Sequence, residues 1–409
     1  MDTALLSLVK ALTMNDPYHG LQAGSHPFTA QERIVYGVPA GAAVLAEAQR
    51  LGANRVFTIS GRSLAALADG PLQRVLAALG TRHVGAYCEV RAHSPREDVI
   101  AAAAAARECA ADLLVGVGGG SAIDAAKAVQ ACLWLGLRAP AEMEPYREAA
   151  PPEVARPIQA PAGAIRMLAV STTLSASEFT GMCGITDSTD NAKQRFVHRL
   201  MVPISAVLDP GATLDTPHDL LFSTAIRAVD HAVETWCSPH ATPATEAASL
   251  QGLRLLARAL PQIARNPQDL KPRLAAQFGM WQAVTPLAAG VQTGASHGIG
   301  YALGAGFNVG HGHTSCVMLP AVLRWNATVN AQRQRALSEA MGAPQRPAHE
   351  LVAELIAALG QPGNLRAVGI RRDQLDELAQ RALVYPPVLA NPRPIKSVAD
   401  VREILELAW

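Results

Sequence analysis

The sequence lacks the marks of a secreted, membrane or nucleic-acid-binding protein. Its six cysteines (Cys88, Cys109, Cys132, Cys183, Cys237, Cys316) lie far apart with no CxxC pair. That spacing argues against a thiolate zinc motif or a disulfide framework and fits reduced thiols in the cytoplasm. Neither charge sign dominates: 35 Lys+Arg stand against 34 Asp+Glu for a net charge of +1, and no basic run is interleaved with aromatics, so nucleic acid is not an expected partner. Long apolar runs are missing too. Ala-rich stretches such as 100–111 are interrupted by charge well short of the roughly 20 apolar residues that span a bilayer, so no membrane partner is expected. The segment from Met1 to His26 opens on Asp2 and is broken by Lys10 and Asp16 before any small-residue cleavage pattern, and it reads as an N-terminal extension, not a secretory signal.

What is present is apolar material: 49% hydrophobic against 17% charged over 409 residues, enough for two cores. From Phe28 to about Pro203, short β-branched runs alternate with Ala-rich helical runs, the pattern of parallel strands joined by helical crossovers. Strands are predicted at 33–36, 55–60, 113–117, 167–171 and 206–208, and helices at 40–51, 63–79, 96–111 and 122–135. Pro140, Pro145, Pro151, Pro152, Pro157 and Pro161 mark an irregular excursion before the strand at 167, because a residue preceding proline is biased away from helix. After Asp209-Pro210 the strand pattern gives way to helices, one opened by Thr242 as cap with Pro243 in its first turn. The expected fold is an α/β Rossmann-like nucleotide-binding domain over 1–208, then an all-α domain over 209–409.

Gly118, Gly119 and Gly120 follow the apolar run 113–117 and lead through Ser121 into a helix carrying Asp124 and Lys127. Glycines let backbone approach a phosphate, and the free amides and dipole of a helix start attract it. The run is neither a Walker A loop nor the spaced-glycine dinucleotide fingerprint. A structural turn would need fewer glycines, so a pyrophosphate cradle is the better reading.

This GGGSxxDxAK pattern after an apolar strand resembles the iron-containing alcohol dehydrogenase superfamily. Three further motifs occur in the order that family shows. Ser171 to Glu178, with Thr172, Thr173, Ser175 and Ser177, looks like the second cofactor loop. Val207-Leu208-Asp209-Pro210 looks like the domain junction. Ala225 to Glu234 and Ser296 to His311 look like the two metal-site segments. The likeness runs from about Phe28 to Asn326, and Phe28 to Gly37 with the Ser175-Ala176-Ser177-Glu178 loop is most similar to the maleylacetate reductase branch. The resemblance implies a dehydroquinate synthase-like two-domain fold, a nicotinamide cofactor and a homodimer formed through an edge of the first domain.

Family members that hold iron or zinc do so with an aspartate and three histidines. Here His231, His297 and His311 keep the histidine positions, but Arg227 occupies that of the aspartate, and a guanidinium cannot ligate a cation. Asp230, adjacent to His231, is expected to project elsewhere. Tyr301 stands where many metal-dependent members carry another histidine. A dication with one carboxylate carries one net positive charge, as arginine does, so Arg227 is expected to polarise a carbonyl or hold a carboxylate. The proton is assigned to one of the histidines or Tyr301.

Strand 55–60 ends in Ser60-Gly61-Arg62, where relatives that prefer NAD commonly place an acidic residue on the ribose. Gly61 removes that repulsion and Arg62 offers a charge, so NADPH is expected to be accepted alongside NADH. The expected function is reduction of a small carbonyl or unsaturated oxo-acid, a carboxylate substrate, by NADPH or NADH without metal. Two alternatives stand beside it: an iron- or zinc-dependent alcohol dehydrogenase using His231, His297 and His311, and a cyclising lyase like dehydroquinate synthase. His93, His240 and His313 are read as surface or loop residues.

Overall fold

The computed structural model describes residues 25–189 and 192–409. Six strands form one parallel sheet in the order β1-β8-β5-β4-β2-β3: β1 (Arg33–Tyr36), β2 (Val56–Ile59), β3 (His83–Tyr87), β4 (Leu113–Gly118), β5 (Arg166–Ser171) and β8 (Ser205–Leu208). β6 (Met182–Asp187) and β7 (Ala192–Val197) form a separate antiparallel hairpin. The central strands are buried and mostly apolar because both faces of the sheet are covered. Leu113, Val115 and Val117 of β4 face helices α1 (Ala40–Arg50) and α3 (Pro71–Leu79), which follow β1 and the short α2 (Arg62–Ala65). Leu114 points the other way, towards α4 (Arg96–Glu108) and α5 (Gly120–Leu135).

From Pro210 onward, apart from short 3-10 turns, the elements are helices: α6 (His218–Cys237), α7 (Pro243–Arg265), α8 (Leu270–Ala288), α9 (Ala295–Phe307), α10 (His311–Ala340), α11 (Ala348–Ala358), α12 (Leu375–Ala382), α13 (Pro386–Leu389) and α14 (Val398–Leu407). Thr242 caps α7 as its sequence foretells, accepting from the Thr245 amide. Asp209 ties the two halves at their junction. Its carboxylate accepts from the Ala40 and Gly211 amides, each at 2.8 Å, and its carbonyl accepts from Gln277 of α8. One apolar core runs across that junction, joining Leu174, Phe179, Ala206 and Leu208 to α6, α7, α8 and α10. Among the described residues no helix is long and apolar enough to cross a membrane.

The expected α/β half followed by a helical half is what the chain forms, with three differences. The 63–79 helix is two: α2 stops at Ala65, a turn closed by the Gly70 amide on Leu67 O follows, and Gly70-Pro71 begins α3. Strand β3 lies at the sheet edge with a half-buried, glycine-containing sequence that carries little strand signal. The hairpin β6–β7 lies beside the sheet and its second strand, AKQRFV, is mostly polar.

Candidate functional site

Strand β4 ends in Gly118, whose φ of +148° disfavours any side chain. A Cβ on Gly119 would stand 2.9 Å from Thr173 Cγ2, and one on Gly120 would stand 3.1 Å from Ser175 Oγ. The glycine turn and the 172–175 loop therefore touch, and what they present is largely backbone. Helix α5 starts behind Gly119, which has no side chain to cap it, so first-turn amides remain for an anion. The second loop is held in turn: the Thr172 amide donates to Gly118 O at 3.0 Å, Thr173 Oγ1 donates to Ser175 Oγ at 3.1 Å, and the Leu174 amide donates to Thr224 Oγ1 of α6 at 3.1 Å.

Several nominated side chains are committed to the fold itself. Ser60 is fully buried and its Oγ donates to Val117 O at 2.8 Å. Asp124 accepts from Ser177 Oγ and from the Gly184 amide, while buried Lys127 donates to Ser177 Oγ at 2.8 Å and to Met182 O at 2.7 Å. These groups clamp the second loop and the hairpin onto α5. Ser121 Oγ accepts from the His93 amide at 3.1 Å. Arg62 is ion-paired with Glu89.

Across the cleft, α6, α9 and α10 bring Arg227, His231, His297, Tyr301 and His311 together. The His231 and His297 rings stack at 4.9 Å, and Tyr301 lies edge-on to His297 at 6.4 Å. The Arg227 guanidinium sits 5.7 Å from the Tyr301 ring centre and donates to Ser315 Oγ at 3.1 Å. No carboxylate of the described residues is within 4.0 Å of it, so Arg227 does not pair with Asp230 or Glu234 along its own helix.

Two further residues lie against the cluster. Lys193, on β7, reaches from the other half and places Nζ 3.0 Å from His311 Nε2. The side chain is exposed by area, yet neighbours crowd its end enough for desolvation to lower its pKa, with Arg227 adding to the fall. His93, exposed and in a loop as expected, has its ring 6.1 Å from that of His311. Consecutive positive φ angles at His93 and Ser94 mark the strain of that placement. A lone lysine on a polar strand carries no signal of its own; His93, just ahead of Pro95 and a helix, carries a faint one.

Beneath the cluster lies a buried carboxylate pair. Glu234 receives the amides of Gly294 at 2.8 Å, Ser296 at 2.7 Å and His297 at 3.3 Å, capping α9, and it accepts from His297 Nδ1 at 2.8 Å. Asp230 accepts from Ser296 Oγ at 2.8 Å and lies 3.3 Å from His297 Nδ1. The expectation that Asp230 points elsewhere is therefore corrected: it shares the Glu234 face, one turn along α6, and reaches the same imidazole. Burial pushes Asp230 up to about 6 and Glu234 up to about 7, the three amides opposing the rise at Glu234. It pulls His297 down to about 3, with the Arg227 charge adding to the fall, and drives His231 and His311 well below the ordinary histidine value. With Nδ1–H given to Glu234, His297 Nε2 is left as an unpartnered acceptor.

Comparison with known proteins agrees with this architecture. The family model described as iron-containing alcohol dehydrogenase matches residues 31–210, and that described as Fe-containing alcohol dehydrogenase family, C-terminal, matches residues 221–409. A maleylacetate reductase of Sphingobium indicum is 30% identical, covering 89% of this chain and 91% of its own length. One from Burkholderia cepacia is 28% identical over 92% of this chain and 95% of its own. The crystal structure of maleylacetate reductase from Agrobacterium tumefaciens superposes with a TM-score of 0.79 at 25% identity, covering 95% of this chain and 99% of that one. The chain belongs to the iron-containing alcohol dehydrogenase family, on its maleylacetate reductase branch, and is an NAD(P)-dependent oxidoreductase.

Proposed function

We propose that this enzyme passes a hydride from NADH or NADPH to a small oxo-carboxylate in the manner of a maleylacetate reductase, and that Arg227 does the electrostatic work a metal does elsewhere in the family. The carrying observation is Arg227 itself, a fixed cation among His231, His297 and His311, with the Lys193 ammonium beside His311. Two cations without a carboxylate partner within 4.0 Å suit an anionic substrate and oppose a dication. The donor set does not fit a resident metal. Among the described residues the donor atoms that gather within 4.8 Å belong to Asp230, Glu234 and His297, not to the three histidines together; both Glu234 oxygens and His297 Nδ1 are engaged at the start of α9, which leaves Asp230 Oδ1 and His297 Nε2 under the influence of the Arg227 charge.

In this reading the 1–208 domain holds the cofactor, with its pyrophosphate on the glycine turn, and the 209–409 domain presents the acceptor to it. Arg227 binds the substrate carboxylate or the oxygen that gains charge. As hydride arrives at the acceptor carbon, the electron pair moves to that oxygen, between two fixed positive charges. Neutral His297, its Nδ1–H committed, accepts a hydrogen bond at Nε2, which leaves Tyr301 and the Lys193–His311 pair to deliver the proton. The test is elemental analysis of the purified protein together with NADH and NADPH oxidation by maleylacetate before and after chelation. Protein free of metal that keeps its rate through chelation supports the reading, whereas near-stoichiometric iron or zinc with activity lost to chelator overturns it.

A further inference from the structure

We propose that Glu89 decides between the two cofactors and selects NADH. In open parallel sheets that bind dinucleotides, the residue ending the strand beside the glycine-rich one meets the adenosine ribose. That strand is β2, paired with β4 from Val56↔Leu113 to Ile59↔Gly116. It is followed by Ser60, whose hydroxyl is spent on Val117 O, and by Gly61, which has no side chain. The usual acidic residue is therefore missing from β2.

The neighbouring strand supplies one. Past β3 the chain folds over the end of β2: the Ser60 amide donates to Tyr87 O at 2.9 Å, and the Val90 amide donates to Ser60 O at 3.2 Å. A Cβ on Gly61 would stand 3.2 Å from Val90 O. Glu89 lies within this fold-over, its carboxylate paired with Arg62 at the first position of α2. Two residues on, Leu64 Cδ1 is 3.4 Å from where a Gly118 side chain would begin, so α2 packs directly on the glycine turn. Glu89 and Arg62 thus stand at the sheet edge beside the cradle.

A carboxylate there accepts hydrogen bonds from the ribose hydroxyls of NADH and repels the 2′-phosphate of NADPH. A free Arg62 would attract that phosphate, but its charge is offset by Glu89. The side chains are 51% and 71% exposed, so either can be changed without disturbing the core.

The test is the dissociation constant of NADH and of NADPH, followed by nicotinamide fluorescence with no acceptor present, for the wild type, Glu89→Gln and Arg62→Ala. Wild type is expected to hold NADH on the order of tenfold more tightly than NADPH. Glu89→Gln weakens NADH and strengthens NADPH, narrowing or inverting the ratio, and Arg62→Ala leaves NADH preferred. A wild type that favours NADPH, or a Glu89→Gln variant of unchanged melting temperature in which the ratio does not move, overturns the assignment. Because binding is read without acceptor, the outcome is independent of the substrate and of the role given to Arg227.

Discussion

The two sides of the cleft are built on opposite plans. At the glycine turn of the sheet side, the polar side chains are spent within the fold and the surface offered is backbone: Ser60, Asp124, Lys127 and Ser177 all serve as braces. On the helical side, backbone is consumed by helices and the surface offered is side chain, with the guanidinium of Arg227 and Nε2 of His297 set among buried rings. A backbone cradle tolerates exchange of its braces only while the loops hold their place, and it recognises what every dinucleotide shares. A side-chain cluster can be redirected by one substitution, which is the role proposed for Arg227.

The contrast can be broken at its strongest point first. Arg227→Ala is expected to lower kcat/KM for a carboxylate acceptor on the order of a hundredfold or more, while cofactor affinity stays near that of the wild type. Arg227→Lys should restore part of the rate, since it keeps the charge but loses the planar fork. Equal rates for wild type and Arg227→Ala in a steady-state assay would remove the distinction between the two sides. Gly119→Ala should do the reverse. Its methyl group, 2.9 Å from Thr173 Cγ2, forces the loops apart and is expected to weaken NADH and NADPH alike by roughly tenfold, read by direct titration, with little change in acceptor KM. Lys193→Ala tests the residue contributed across the cleft: KM for the carboxylate should rise by about tenfold with a smaller fall in kcat, and a kcat effect alone would argue that Lys193 moves protons without binding the anion.

The smallest effect concerns Glu178, in the second loop. Both carboxylate oxygens are buried, and burial pushes the group from 4.5 up to about 7 against the opposing pull of its own backbone and Ser171. Between those values the folded protein keeps a proton that the unfolded chain has released. Stability therefore declines as pH rises from about 4.5 to about 7 and then levels. Glu178→Gln should lack that slope, and melting curves for the two proteins that run parallel across the interval would exclude it.

The difference between the sides also explains what could be read in advance. The cradle rests on a local pattern, an apolar strand running into three glycines and a helix, and its strand and helix lie where the pattern puts them. The parallel core strands are legible for the same reason, since burial on both faces demands continuous apolar runs. The cluster is assembled from residues far apart in the chain, and resemblance to a family indicated its histidines where periodicity alone would not. Nothing local distinguishes Lys193, and nothing local marks His93 as more than a loop residue: a hairpin and a strained loop place them against His311. The angle between Asp230 and His231 does not decide where Asp230 points; its relevant neighbour is Glu234, one turn further along α6. Within 63–79, Gly70-Pro71 is the local mark of where α3 begins.

The apolar core that crosses the Asp209 junction has a thermodynamic consequence. Leu174, Phe179, Ala206 and Leu208 are buried by helices of the other half, so neither half could lose its order without uncovering a core surface of its companion. The two halves should therefore denature in one concerted transition, with a calorimetric enthalpy matching the van't Hoff value. A fragment ending at the junction would inherit an uncovered apolar face instead of an independent fold.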